Sequence, residues 1–227
     1  MEIGTRMKAY EAGFKTRLMP RMPAIIRVDG KSFHSLTKKL KCKKPYDQEF
    51  ADALTTSVAN AMSKFSTARM AFVKSDEASI LLIDYNTFMS QQSFGGVVQK
   101  LASVGASSVA AYFSLYLNTY APFDGRVFTL PRNEVVNYFI WRQQDATRNA
   151  IQMTARTYFS HKECQNKSSN HLQEMLFQKK EINFNDMPTW FKRGRVIMSN
   201  GLVEVEPPIF SQDREYIERF MEVEQGG

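Results

Sequence analysis

The run Arg27-Val28-Asp29-Gly30-Lys31-Ser32-Phe33-His34 sets a carboxylate, a flexible glycine and a lysine where an apolar stretch ends. Ala24-Ile25-Ile26 before it reads as a buried strand. A carboxylate at a strand's end, followed by backbone rich in N–H donors, suits a metal ion carrying a phosphate. A surface turn uses the same Asp-Gly pair, so the chemistry requires a second carboxylate. Ser75-Asp76-Glu77 supplies two candidates, at the tip of a β-hairpin between Met70–Lys74 and Ala78–Ile83. Neighbouring side chains on extended backbone point opposite ways, so one of the two shares a site with Asp29. Asp76 is the better placed; the alternative is that it merely makes a turn. Two carboxylates at adjacent strand ends, with a backbone carbonyl nearby, are the usual protein share of a two-magnesium site. Such a site stabilises both the attacking and the leaving oxygen in an in-line displacement at phosphorus. The N–H groups of Lys31, Ser32, Phe33 and His34 are placed to cradle a triphosphate, and Lys38, Lys39, Lys41, Lys43 and Lys44 to neutralise its outer charge. His34 is read through its backbone, because metal activation replaces general-base work.

The elements that must bring Asp29 to Asp76 follow from periodicity. A polar helix is expected over 4–15, around Met7, Tyr10, Glu11 and Phe14; Pro20 and Pro23 then lead into a strand at 24–28. Phe50, Leu54, Val58, Ala61, Met62 and Phe65 recur at helical steps after Asp47. After the hairpin, a loop over 86–96 precedes a second amphipathic helix at 97–117 and a strand at 125–130. Strand–helix–strand–strand–helix–strand predicts an α+β fold, the ferredoxin-like βαββαβ arrangement: a four-stranded antiparallel sheet with helices on one face and the other free for a ligand. The first strand is then central, and Asp29 can meet Asp76. The remainder predicts helices at 132–143, 145–160 and 168–178, a β-hairpin about Ser199-Asn200-Gly201, and a helix near 211–222.

Composition agrees with a globular, polyanion-binding protein. The 227 residues are 43% hydrophobic and 12% aromatic, with a net charge of +7. No apolar run approaches the ~20 residues that span a bilayer, and the N-terminus lacks a signal-peptide core, so no membrane association and a cytoplasmic location are expected. Cys42 and Cys164 have no paired spacing and read as free thiols. Trp141 and Trp190 read as core or interface residues before base-stacking platforms.

Several blocks then carry a resemblance: residues 27–34, Lys44-Pro45-Tyr46-Asp47, Ser75-Asp76-Glu77, Phe123-Asp124-Gly125-Arg126-Val127, Trp141-Arg142-Gln143, Asn183-Phe184-Asn185 and Phe191-Lys192-Arg193-Gly194. In this order they resemble the tRNA(His) guanylyltransferase family over roughly residues 5–200. The resemblance implies a polymerase/cyclase-like palm and nucleotide addition to the 5′ end of RNA. It makes residues 1–131 a palm-like catalytic core, with the helical and hairpin region 132–227 packed on it as one compact unit. It implies two Mg2+ ions on Asp29, the Gly30 carbonyl and Asp76, supported by Glu77. Lys31, Ser32, Phe33, His34 and Lys100 would hold ATP, GTP or another nucleoside triphosphate. Lys44, Asp47 and Ser75 match positions tied to activation of the RNA end. A homotetramer is implied as well.

Members that add guanosine to tRNA(His) in eukaryotes carry His-Ile-Asn-Asn after the Trp-Arg-Gln block. Here Thr147-Arg148-Asn149-Ala150 stands there. This is similar to the guanylyltransferase-like branch, associated with template-dependent repair of 5′-truncated tRNA. Alternatives are untemplated addition to tRNA(His), a nucleotidyl cyclase-like enzyme, and a silent tRNA-binding protein. Arg148 and Asn149 are candidate RNA contacts. Arg126 either pairs with an acidic neighbour or reaches phosphate, and Lys192 and Arg193 either grip tRNA phosphates or form a charged surface turn.

Overall fold

Ile25 and Ile26 decide the architecture. Adjacent residues of a strand face opposite sides, and both are fully buried, so both faces of the sheet are covered. The computed structural model describes residues 1–87 and 89–222. Strand β1 (Ala24–Gly30) lies between β3 (Glu77–Leu82) and β4 (Phe123–Thr129). With β2 (Ala68–Lys74), β5 (Arg195–Met198) and β6 (Val203–Glu204), they form a six-stranded antiparallel sheet in the order β4-β1-β3-β2-β5-β6.

On one face Ile26, Val28 and Ile80 pack with Leu54 and Val58 of α3 (Gln48–Met62) and Leu101 and Val109 of α4 (Val98–Tyr116). On the other, Ile25, Phe72 and Leu81 meet Val135 and Phe139 of α5 (Arg132–Tyr158), with Phe210. The far half of α5 packs Ile151 and Ala155 against Leu172 and Leu176 of α7 (Ser169–Lys180). The lysine-rich segment after Asp29 is partly helical, as α2 (Phe33–Lys39). Short helices α6 (His161–Cys164) and α8 (Thr189–Arg193) flank α7. Helix α1 (Ile3–Gly13) buries no side chain. Cys42 and Cys164 are free thiols. No helix among the described residues is long and apolar enough to cross a membrane.

Three expectations change. The sheet has six strands rather than four, because β5 pairs with the β2 edge (Phe72↔Val196, Ala71↔Ile197), and α5 covers the face expected to be open. The helices expected at 132–143 and 145–160 are one. No glycine or proline separates them, and the polar residues at the expected break find tertiary partners. Gln143 Nε2 donates to the Pro208 carbonyl at 2.8 Å, its Oε1 accepts from the Phe210 N–H at 2.8 Å, and Asp145 pairs with Lys74. The helix near 211–222 shortens to α9 (Glu215–Glu218) and a 3-10 turn, Arg219–Met221. Position 88 of the 86–96 loop and positions 223–227 of the C-terminal region lie outside the described residues.

Gly194 sets the entry into β5. Its φ of 78° and ψ of −170° lie where only glycine is at ease. A Cβ there would stand 2.6 Å from the Phe72 ring and 2.8 Å from the Val73 carbonyl oxygen. Gly194→Ala is expected to cost about 2–5 kcal/mol, adding backbone strain to overpacking. Denaturant titration reads the loss, and an unchanged midpoint would show that β5 can re-enter the sheet by another route.

Candidate active site

Strand pairing brings three carboxylates to one level. Asp29 is in register with Glu77 of β3 on one side and Asp124 of β4 on the other. Directly paired residues share a face, so Asp29, Glu77 and Asp124 lie on the α5 side, together with Arg27 two positions back. Asp76 sits beyond Glu77 in the hairpin turn, next to Ser75 at a φ of 49°. The Asp76 carbonyl accepts from the Gly30 N–H at 2.9 Å, which ties the two chain segments together.

These carboxylates differ in their company. Glu77 is buried, and its Oε2 accepts from Arg27 at 2.5 Å and from Arg142 of α5 at 2.8 Å. Arg142 also reaches Asp145 at 3.1 Å, and Asp145 pairs in turn with the buried Lys74 and, at 3.2 Å, with Arg148. Burial pushes the Asp145 carboxyl up, but the hydrogen bond and charge of Lys74, with Arg142 and Arg148, outweigh it and hold the group below its ordinary range. Burial lowers the Lys74 ammonium, opposed by Asp145. Asp124 is exposed and stands 3.7 Å from Arg126. Asp76 pairs with no lysine or arginine among the described residues. Its carboxyl is raised above its ordinary range, first by burial and then by the nearby Asp29 charge. Two carboxylates that repel each other, with the Gly30 carbonyl at the same strand end, fit a divalent cation. No group of three or more His, Cys, Asp or Glu is arranged for a metal among the described residues, so a cation here would have these two side chains and the backbone as its protein donors.

The turn after Asp29 is built on an aromatic pile. Phe33 packs on Phe50, Phe113 and Phe123, with ring centroids 5.8, 5.5 and 4.9 Å away. Gly30 must be glycine because a Cβ would meet the Phe33 ring at 2.5 Å. Ser32 takes a left-handed φ of 61° to start α2. The Lys31 N–H donates to the Pro122 carbonyl at 2.9 Å, whereas the N–H groups of Ser32, Phe33 and His34 have no backbone acceptor among the described residues.

Beside this edge opens a cleft of about 780 Å³, within the range of about 300–1,000 Å³ usual for small-molecule sites. Of the residues expected from the sequence, Phe33, His34, Lys44, Asp47, Ser75, Asp76 and Asn149 line it. Asp47 and Asp76 are its acidic residues, against Lys38, Lys41, Lys43, Lys44 and Arg156. Asp47 already has structural work: its carboxylate caps α3 through the Phe50 N–H at 3.0 Å and accepts from the Lys43 N–H at 2.8 Å. Tyr46, Trp190 and Phe191 form an aromatic wall, with Tyr46 centred 5.3 and 4.9 Å from the other two rings. Arg195 lies 4.6 Å over Trp190 and pairs with Asp52 at 2.6 Å.

The other expected residues stand elsewhere. Lys100 is in the first turn of α4, at the opposite end from Phe113, which touches the Phe33 ring. Arg126 is on the outer strand β4. Arg148 is exposed beside Asp145. Lys192 and Arg193 end α8, and the Lys192 ammonium donates to the Asn185 carbonyl. Sequence reasoning left Arg27, Lys74, Arg142, Asp145 and Arg156 without a role. Arg27 had a usable signal: two positions before Asp29 on a strand, it must share its face.

A lysine-lined cleft that reaches Asp76, a carboxylate with no lysine or arginine pair among the described residues, beside the strand end that carries Asp29 suits the transfer of nucleotidyl groups, and known proteins of that class share both the fold and the sequence. A family model described as Thg1, tRNAHis guanylyltransferase, matches residues 4–131. A bacterial tRNA(His) guanylyltransferase (Thg1)-like protein solved in complex with ATP is 42% identical, covering 97% of this chain and 99% of its own, with a TM-score of 0.93. One in complex with GTP is 41% identical, covering 96% and 98%, with a TM-score of 0.85. The tRNA(His) guanylyltransferase of Saccharomyces cerevisiae is 26% identical over 85% of this chain and 90% of its own length. The chain is a nucleotidyltransferase. It belongs to the tRNA(His) guanylyltransferase family, in the Thg1-like branch.

Proposed function

We propose that the protein adds nucleotides to the 5′ end of tRNA in the 3′–5′ direction, repairing truncated ends against the opposite strand as template. The observation that carries this is the pair Asp29 and Asp76, mutually repelling and free of lysine or arginine at Asp76, with Asp76 lining a cationic cleft. Asp29, Asp76 and the Gly30 carbonyl would hold Mg2+, which supplies charge neutralisation and a fixed in-line geometry at phosphorus. Residues 1–131 serve as a palm-like core, and the later helices close the cleft.

The rest of the reading concerns what the side chains do. Lys41, Lys43 and Lys44 offset the triphosphate charge, and Tyr46 and Trp190 give a base an aromatic face. The free N–H groups of Ser32, Phe33 and His34 bind phosphate oxygens. In the first step an oxygen of the RNA 5′-monophosphate attacks the α-phosphorus of ATP; the new P–O bond forms as pyrophosphate leaves. In the second, the 3′-hydroxyl of an incoming nucleotide attacks the activated 5′ phosphorus and AMP leaves. Both displacements depend on position and neutralised charge.

The segment 147–150 favours repair over tRNA(His)-specific addition. Thr147 joins α5 to α8 through its hydroxyl and the Lys192 carbonyl at 2.9 Å, and Arg148 joins Asp145. Only Asn149 and Ala150 of the four line the cleft. The test is incubation of 5′-truncated, monophosphorylated tRNA with ATP, magnesium and labelled nucleotides. Extension whose identity follows the opposing nucleotide is expected. Guanosine added whatever base it faces would replace repair by tRNA(His)-type addition, and product formed from nucleotides alone would point to a cyclase.

A further inference from the structure

We propose that Glu77 is a positioning residue whose task is to hold the Arg27 guanidinium off the Asp29 carboxylate. The inference rests on Asp29 and Asp76 being a cation site. Arg27, Asp29 and Glu77 share one face of the sheet, and Asp29 and Glu77 are direct cross-strand partners. The same Arg27 nitrogen lies 2.5 Å from Glu77 and 3.6 Å from Asp29. The first is a strong charged hydrogen bond; the second is beyond hydrogen-bond reach.

Arg27 is poised to move. Its Nε is buried with no hydrogen-bond partner, so Glu77 satisfies only part of the guanidinium, and Asp29 is the nearest other carboxylate. With Glu77 gone, Arg27 closes on Asp29 and occupies the face a cation needs. Arg142 shows why Glu77 is not itself a donor to that cation. The same Glu77 oxygen also accepts from Arg142, so turning to a metal would take from Arg27 its hydrogen-bonded anion and leave the buried Arg142 with Asp145 alone. Arg142 fixes the carboxylate from α5, and Glu77 fixes Arg27 from β3.

The test is calorimetric titration of the full chain with Mn2+ alone, without nucleotide or RNA. Glu77→Gln is expected to weaken Mn2+ binding about 10–100-fold, as loss of an orienting group does. Arg27→Gln in the same background is expected to restore it towards wild type, since the intruding cation is removed. A double variant as weak as Glu77→Gln overturns the proposal and makes Glu77 a direct ligand or a purely structural residue. If Glu77→Gln fails to fold, Glu77→Asp takes its place: weaker Mn2+ binding that Arg27→Gln restores is expected, and a weakening that Arg27→Gln leaves unchanged overturns the proposal. Wild-type protein that binds no Mn2+ overturns the cation site itself; binding without the Glu77–Arg27 coupling overturns only this inference.

Discussion

Asp76→Asn is expected to melt above wild type at neutral pH in the absence of divalent cations, while losing at least ~10²–10³-fold of the nucleotide-addition rate, the scale on which removal of one electrostatic group acts. The stability gain follows from the environment of the carboxyl. Burial, and then the neighbouring Asp29 charge, raise Asp76 above its ordinary value of 3.8. The folded protein therefore binds this proton more tightly than the unfolded chain does. That contribution to folding is fully present below 3.8 and is lost as pH rises through the raised folded-state value. At neutral pH the charged, half-buried group opposes folding, and a divalent cation would relieve it. Asparagine removes the charge, and its side-chain oxygen can still accept from Ser75 and its own backbone N–H, which hold Asp76 now. Thermal melts with chelator, at neutral pH and below the ordinary carboxylate value, separate the two regimes: the variant's advantage exists only in the first. A variant that melts lower at neutral pH would show that Asp76 is an ordinary turn residue.

The pair Asp29 and Asp76 was legible in the chain for a local reason. Asp29 follows an apolar run, Asp76 sits in a short polar break between two more, and the element order sets the strands side by side. Polar residues at fixed places in apolar strands are a local signal. What sequence reasoning missed depends on long-range register. Glu77 faces the same way as Asp29 because of a cross-strand pairing between distant segments, and it is neutralised by Arg142, 65 positions further on. The run Gln143-Gln144-Asp145 reads as a helix break when its partners are unseen; in the fold, Pro208, Phe210 and Lys74 satisfy it inside one continuous α5. Satellite strands are hard to place for a similar reason. The Ser199-Asn200-Gly201 turn announces a hairpin, but only the exposed β2 edge says where the hairpin docks.

The aromatic pile beneath Gly30 gives the second large effect. Phe113 is fully buried, with ring centroids 5.5 Å from Phe33, 5.3 Å from Phe50 and 5.6 Å from Phe123. Phe113→Ala is expected to cost about 3–5 kcal/mol, the range for emptying a buried aromatic site, against a usual total of about 5–15 kcal/mol. Phe33 is the link from this core to the chemistry. Its ring fills the space directly under the Gly30 Cα, and its N–H is one of three left free at the start of α2. Without Phe113 the ring can drop into the void, and the N–H groups of Ser32, Phe33 and His34 shift with it. Misplacement of about 1 Å can cost ~10²-fold in rate, so kcat/KM for the nucleotide should fall even well below the variant's melting temperature. Phe113→Leu refills part of the void and should recover part of both losses together. If Phe113→Ala lost stability but kept kcat/KM at low temperature, Phe113 would be filler only, and the turn after Asp29 would be held by its backbone hydrogen bonds to Asp76 and Pro122.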